Sequence, residues 1–310
     1  MPILHRLALV FTFLTLLFGS VDGSTAYGQE VTAGKKKVPD AEDISVTTKD
    51  GVAIRATYLG VTSGKDAPVV ILLHMFKGNR RDMMPLGLSL QEKGFAVVIP
   101  DLRGHGDSTT VSVDGVDRKF EATTMPAIQF KNMPLDLEAI KKFLVEQNNK
   151  AALNIERLGI VAAEMSVPVA AMWAYQDWLY PSLPNLKQGQ DVKAMVMLSP
   201  IMSHKSMTMA PAITSANSAL RTQISLMLVA GEEDESVKEA RKIEQTFSRL
   251  RGKPEKPEDR TLFLVDKLKT KLVGTKLLGE ANLGVEDFIA QFLEARLVNV
   301  SYPWKDRSAP

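Results

Sequence analysis

The 310-residue chain has no cysteine. Disulfides, thiolate metal sites and a cysteine nucleophile are therefore excluded. Histidine is almost as scarce, with four copies at His5, His74, His105 and His204 and none beyond. Neither sign of charge prevails: 38 Lys and Arg against 36 Asp and Glu leave +2, too little to mark a nucleic-acid binder. No segment after the first few dozen residues is long and apolar enough to span a bilayer. What remains is 45% apolar and 24% charged, an ordinary globular composition that rules out a mostly disordered or fibrous chain. The length allows one large domain or two small ones.

Residues 1–28 read as an export signal. His5 and Arg6 make a weakly basic start, and Leu7 to Phe18 is uncharged and apolar. Ala26-Tyr27-Gly28 offers small residues for cleavage before Gln29, with Val21-Asp22-Gly23 as a second site. The competing reading is an uncleaved anchor, but a bilayer needs about 20 apolar residues. Without cysteine a lipoprotein anchor is impossible. The expectation is an exported, periplasmic or secreted chain with no stable membrane anchor after cleavage.

Residues 29–43, with Lys35-Lys36-Lys37, read as a polar tail. Ile44–Thr48 and Val52–Leu59 flank Lys49-Asp50-Gly51, a hairpin signal. Strand and helix patterns then alternate. Strands are expected at Val69–His74, Phe95–Pro100, Leu158–Ala163, Val192–Leu198, Ser225–Ala230 and Thr261–Val265. Helices are expected at Arg81–Lys93, Asn132–Asn148, Met165–Trp178, Ser236–Leu250 and Val285–Leu297. The alternation implies an α/β domain over residues 44–300: a mostly parallel sheet covered by helices on both faces, with an antiparallel hairpin before it. Residues 301–310 read as a second tail. Ile201 to Gln223 is too short to be a large cap domain.

In such sheets chemistry gathers beyond the carboxyl ends of the strands. Three stretches there resemble the α/β-hydrolase superfamily of serine esterases and peptidases. They are Val69–His74, the run Phe95–Ser108 with Asp101-Leu102-Arg103-Gly104-His105-Gly106, and Leu226–Asp234. The resemblance implies a Ser–His–acid triad, with the nucleophile on a Gly-x-Ser-x-Gly elbow between a strand and a helix. Here that junction reads Ala162-Ala163-Glu164-Met165-Ser166. Glu164 falls in the nucleophile slot, and Ala162 and Ser166 fill the glycine slots. The family's His-Gly-Thr stretch before the final helix corresponds to Val273-Gly274-Thr275, so Val273 falls in the histidine slot. Only the acid has a counterpart, Asp234, which also suits a turn before the helix at Ser236.

The triad acts as a unit: losing serine or histidine alone costs about a millionfold in turnover in a well-studied protease. The expectation is a catalytically degenerate protein, binding a small-molecule ligand or a protein partner at the former cleft. The alternative is a working hydrolase in which Glu164 attacks or acts as base. Related enzymes with a carboxylate at the elbow use Asp and need a histidine to release the ester intermediate. Ser166 is a further candidate nucleophile, two residues late in the turn; otherwise it is a small residue that lets helix approach sheet. His74, His105 and His204 each follow a strand and are candidates to line the cleft. A metal site built from them is conceivable, but no His-Glu-x-x-His occurs and none is expected, nor is any cofactor. Met195, Met197, Met202, Met207 and Met209 either fill the core or line an adaptable pocket.

Overall fold

The computed structural model describes residues 38–308, apart from 182, 184, 185 and 281. The export signal and the Lys35-Lys36-Lys37 run lie outside the described residues. β1 (Ala41–Thr47) and β2 (Val52–Leu59) form the antiparallel hairpin closed by Asp50-Gly51. Then follow β3 (Val69–Leu73), α1 (Met84–Glu92), β4 (Ala96–Pro100), β5 (Thr110–Val113) and β6 (Val116–Lys119). α2 (Ala127–Lys131) and α3 (Pro134–Asn149) lead to β7 (Leu158–Ala163), α4 (Ser166–Leu179) and β8 (Val192–Leu198). The segment between β8 and the next long strand holds β9 (Ser203–His204), β10 (Met207–Thr208) and α5 (Ala210–Thr214). The chain ends on β11 (Ser225–Gly231), α6 (Ser236–Arg251), β12 (Leu262–Leu268) and α7 (Val285–Leu293).

The sheet order is β12-β11-β8-β7-β3-β4-β2-β5-β6, with β1 on the free side of β2. From β4 to β12 neighbouring strands run parallel. The other pairs are antiparallel. The parallel strands are continuous apolar runs because both faces are covered. Successive side chains point to opposite faces: Val69, Ile71 and Leu73 join one core with residues of α3 and α4, and Val70 and Leu72 join the other with residues of α1 and α7. Four of the five clustered methionines, Met195, Met197, Met207 and Met209, are buried in the first of these cores and Met202 packs against it.

Three regions depart from the sequence reading: first, residues 41–43, expected to end a polar tail, pair in β1 against Thr57–Leu59 because the hairpin extends past its apolar core. The β5–β6 hairpin was not expected, although Asp114-Gly115 at its tip is the same turn signal as Asp50-Gly51. Its residues are exposed or half-buried, so no core-facing alternation announces it. Residues 301–308, set apart by sequence as a tail, dock on the domain. Asn154 and Asn148 donate to the carbonyls of Tyr302 (3.0 Å) and Lys305 (2.9 Å). Arg307 is buried against Glu156 at 2.9 Å and Asp191 at 2.8 Å. Among the described residues no helix is long and apolar enough to cross a membrane.

Candidate active site

The chain leaves β3 toward β4 on one side and returns to β7 on the other. This topological switch opens a crevice beyond the carboxyl ends of β3 and β7. β3 delivers His74, Met75 and Phe76 there, and β7 delivers Glu164. Glu164 has φ +49°, a left-handed conformation that costs a residue with a Cβ about 1–2 kcal/mol. The turn is tied on both sides: Glu164 N–H donates to the Leu198 carbonyl at 2.9 Å, and the Glu164 carbonyl accepts from Val167 N–H at 3.0 Å. Its side chain is half-buried, and the Phe76 N–H donates to Oε2 at 3.2 Å.

Ser166, two residues on, faces away from this crevice into the protein. It is fully buried. Its hydroxyl donates toward the carbonyls of Ala163 (2.9 Å) and Leu73 (3.2 Å) and accepts from the Ala163 N–H at 2.8 Å. It stitches the start of α4 to the ends of β3 and β7.

Val273 reaches the same crevice from the loop after β12. Gly274 fixes that loop at φ +58°, where an added Cβ would lie 2.9 Å from Met75 Sδ. Its N–H donates to Ser199 Oγ at 2.8 Å. Glu164 and Val273, with Met75, Phe76, Lys271, Leu272 and Lys276, line a cleft of about 320 Å³. Sequence reasoning missed five of these seven. All five lie within three residues of a position it had named, just after His74 or on either side of Val273.

Asp234 does not meet them. Its carboxylate accepts from Ser236 N–H at 3.1 Å and from the Ser236 hydroxyl, so it shapes the turn into α6. The three histidines form an aromatic ladder instead of a ring about Glu164. The ring of His105 lies 5.0 Å from that of His74 and 5.8 Å from that of Phe76. His204 lies 4.7 Å from Phe76 and 5.4 Å from Phe130. His74 is locked by backbone: its Nδ1–H donates to the Met75 carbonyl at 2.8 Å, and Nε2 accepts from Leu102 N–H at 3.0 Å. Burial lowers its pKa, as it does that of His204. In His105 burial, with the neighbouring His74 adding to it, lowers the value to about 4. His105 Nδ1–H donates to the Arg103 carbonyl at 3.0 Å, leaving Nε2 a buried acceptor without a donor.

Solved structures share this architecture. An esterase of Pyrococcus furiosus matches with a TM-score of 0.54 at 18% identity, over 83% of this chain and 93% of that one. The chain has the α/β-hydrolase fold. A Rhizomucor miehei esterase gives 0.59 at 12% identity, over 85% of this chain and 84% of that one. The hyperthermophilic esterase of Pyrobaculum calidifontis gives 0.58 at 15%, over 84% of both chains. No family model and no curated protein matches the sequence.

In an α/β-hydrolase fold the nucleophile stands on the strained strand-to-helix turn. Its oxyanion donors are the next residue's N–H and an N–H of the β3–α1 loop. Glu164 stands at that turn, and Phe76 belongs to that loop. The Glu164 carboxylate thus accepts from a backbone N–H of the β3–α1 loop. Among the described residues no arginine pairs with it. Arg80 pairs with Asp101, with Asp107 at 2.8 Å, and more distantly with Asp43 at 3.8 Å. Arg103, fully buried, pairs with Asp136 at 2.8 Å and Asp50 at 2.7 Å. Arg81 is exposed and has no ion-pair partner among the described residues. No three His, Asp or Glu among the described residues are grouped to hold a metal ion.

Proposed function

We propose that this is an exported α/β-hydrolase-fold protein that has lost acyl-transfer chemistry and uses its former active-site cleft to bind a small ligand. One observation carries the reading. The residue on the strained turn is Glu164, its carboxylate holds the Phe76 N–H, and the neighbour across the cleft is Val273. Serine hydrolysis needs an alcohol, a base to deprotonate it and free oxyanion donors. Valine offers no lone pair, and no imidazole is hydrogen-bonded to Glu164 among the described residues. What such a site retains over water is about 10³–10⁴ in rate, from binding and residual donors. The cleft itself is of ligand-binding size, at the small end of the usual range of about 300–1,000 Å³.

The competing reading is a hydrolase that uses Glu164 as nucleophile or base, with His204 or His105 moving the proton. Its support is the position of Glu164 and the solved esterases that share the fold. Steady-state assay of the mature chain on a panel of short-chain p-nitrophenyl esters separates the two. Rates at the buffer background, equal in the native chain and Glu164→Gln, are expected. Turnover abolished by Glu164→Gln would overturn the proposal. Export has its own check: intact mass of the protein recovered outside the cytoplasm should correspond to a chain starting at Gln29 or, from the second site, at Ser24.

A further inference from the structure

We infer that the ligand of this cleft is a small zwitterion, carrying an ammonium group at one end and a carboxylate at the other. The inference rests on the reading of the cleft as a binding site and adds the chemical class. Among the described residues Glu164 is the only acidic one of the lining, and Phe76 N–H holds Oε2 alone. Oε1 has no hydrogen-bond donor among the described residues, and no Lys or Arg lies within ion-pair distance of the carboxylate. A half-buried carboxylate with no direct ion pair is open to an alkylammonium, which supplies both charge and donors.

A simple amine fits only half of the lining. Lys271 and Lys276 are exposed and flank Val273 in sequence on either side, so they bring two positive charges to the same cleft. They repel a lone cation and attract an anionic group. Conversely, a lone carboxylate meets Glu164. A molecule with separated charges of both signs is complementary to the whole set, and charge complementarity is what discriminates partners in such sites. Met75, Phe76, Leu272 and Val273 supply apolar contact for the stretch between the charges.

Isothermal titration calorimetry of the mature chain with 6-aminohexanoate, hexylamine, hexanoate and hexanamide tests this. The expected order places 6-aminohexanoate about tenfold or more ahead of each single-charge analogue, in line with one charge-assisted hydrogen bond. Glu164→Gln should weaken 6-aminohexanoate and hexylamine about tenfold while leaving hexanoate no weaker, since it removes a like charge. The Lys271→Met, Lys276→Met double variant changes only exposed side chains. It should bring 6-aminohexanoate down to the level of hexylamine. No measurable binding, equal binding of all four compounds, or affinity indifferent to both variants would overturn the inference. An ester assay at background alongside absent binding removes the zwitterion alone. Ester turnover dependent on Glu164 removes the reading beneath it.

Discussion

Arg307→Ala is expected to destabilise the domain by about 3 kcal/mol, because it breaks a buried ion-pair network from one side. The network gathers Lys141, Lys187 and Arg307 against Glu156, Asp177 and Asp191. Asp191 has no exposed surface, and Arg307 reaches both of its oxygens, at 2.8 and 3.1 Å. Burial alone pushes the Asp191 carboxyl up; the Arg307 hydrogen bonds and the nearby charges of Lys141, Arg307 and Lys187 overcome this and bring it down to about 2. Losing one partner of a buried pair costs about 3–5 kcal/mol. The lower end applies, since Lys141 and Lys187 stay at 3.1 Å from Asp191. The variant also frees the Arg307 contact to the Lys187 carbonyl at 2.8 Å and loosens the docked 301–308 segment. Arg307→Lys keeps the charge but loses the two-pronged grip, so it should fall between. Urea unfolding followed by circular dichroism reads the difference. Glu156 and Asp191 precede β7 and β8, whereas Glu164 follows β7, so this network sits at the opposite end of parallel strands from the cleft. Binding of 6-aminohexanoate under native conditions should therefore be unchanged. A stability change below about 0.5 kcal/mol, the size of an ordinary surface substitution, would refute the docked strap.

Three further outcomes follow from the same geometry. His105 is held neutral, with its folded value near 4 against an unfolded 6.5. The stability this neutral form contributes is complete above about pH 6.5 and is lost as pH falls toward 4, up to about 3 kcal/mol. The urea midpoint of His105→Gln should fall less steeply over that window, and parallel slopes would contradict the assignment. Ser166→Ala leaves the buried Ala163 N–H without its acceptor and should cost about 1–3 kcal/mol in the same unfolding assay. It should have no effect on the cleft affinities; a lost ligand affinity in a folded variant would show that Ser166 acts in the cleft after all. Gly106→Ala places a Cβ 2.3 Å from the Asp101 carboxyl carbon at φ +50°. It should displace the Asp101 carboxylate from Arg80 and lower the melting temperature, and a wild-type melting curve would count against the loop geometry.

Much of the fold is legible in the sequence because its signals are local. The buried parallel strands are written as unbroken apolar runs such as Val69–Leu73 and Leu158–Ala163, and the Asp50-Gly51 turn marks the first hairpin. The β5–β6 hairpin escapes because exposed strands carry no such pattern. The docking of Arg307 escapes because its partners Glu156 and Asp191 stand 151 and 116 residues away. At the site, the strand–helix junction in the sequence places Glu164 on the turn between β7 and α4, where the structure has it. Two other features were not legible. The donor that holds Glu164 is a backbone N–H, which every residue but proline has, so Phe76 leaves no trace in the sequence. Lys271 and Lys276 sit in a lysine-bearing stretch after the last strand, and only the folded loop brings them to the cleft. Likewise the three histidines all follow strands, yet the structure stacks them with Phe76 and Phe130 and ties His74 to backbone.

The proposed loss of acyl-transfer chemistry requires that the cleft hold no activated nucleophile. Its most direct test is intact-mass spectrometry of the mature chain after prolonged exposure to an excess of a fluorophosphonate. The expected result is the mass of the untreated protein. Stoichiometric addition of one phosphonyl group, mapped to any side chain at the β3–β7 crevice, would contradict it.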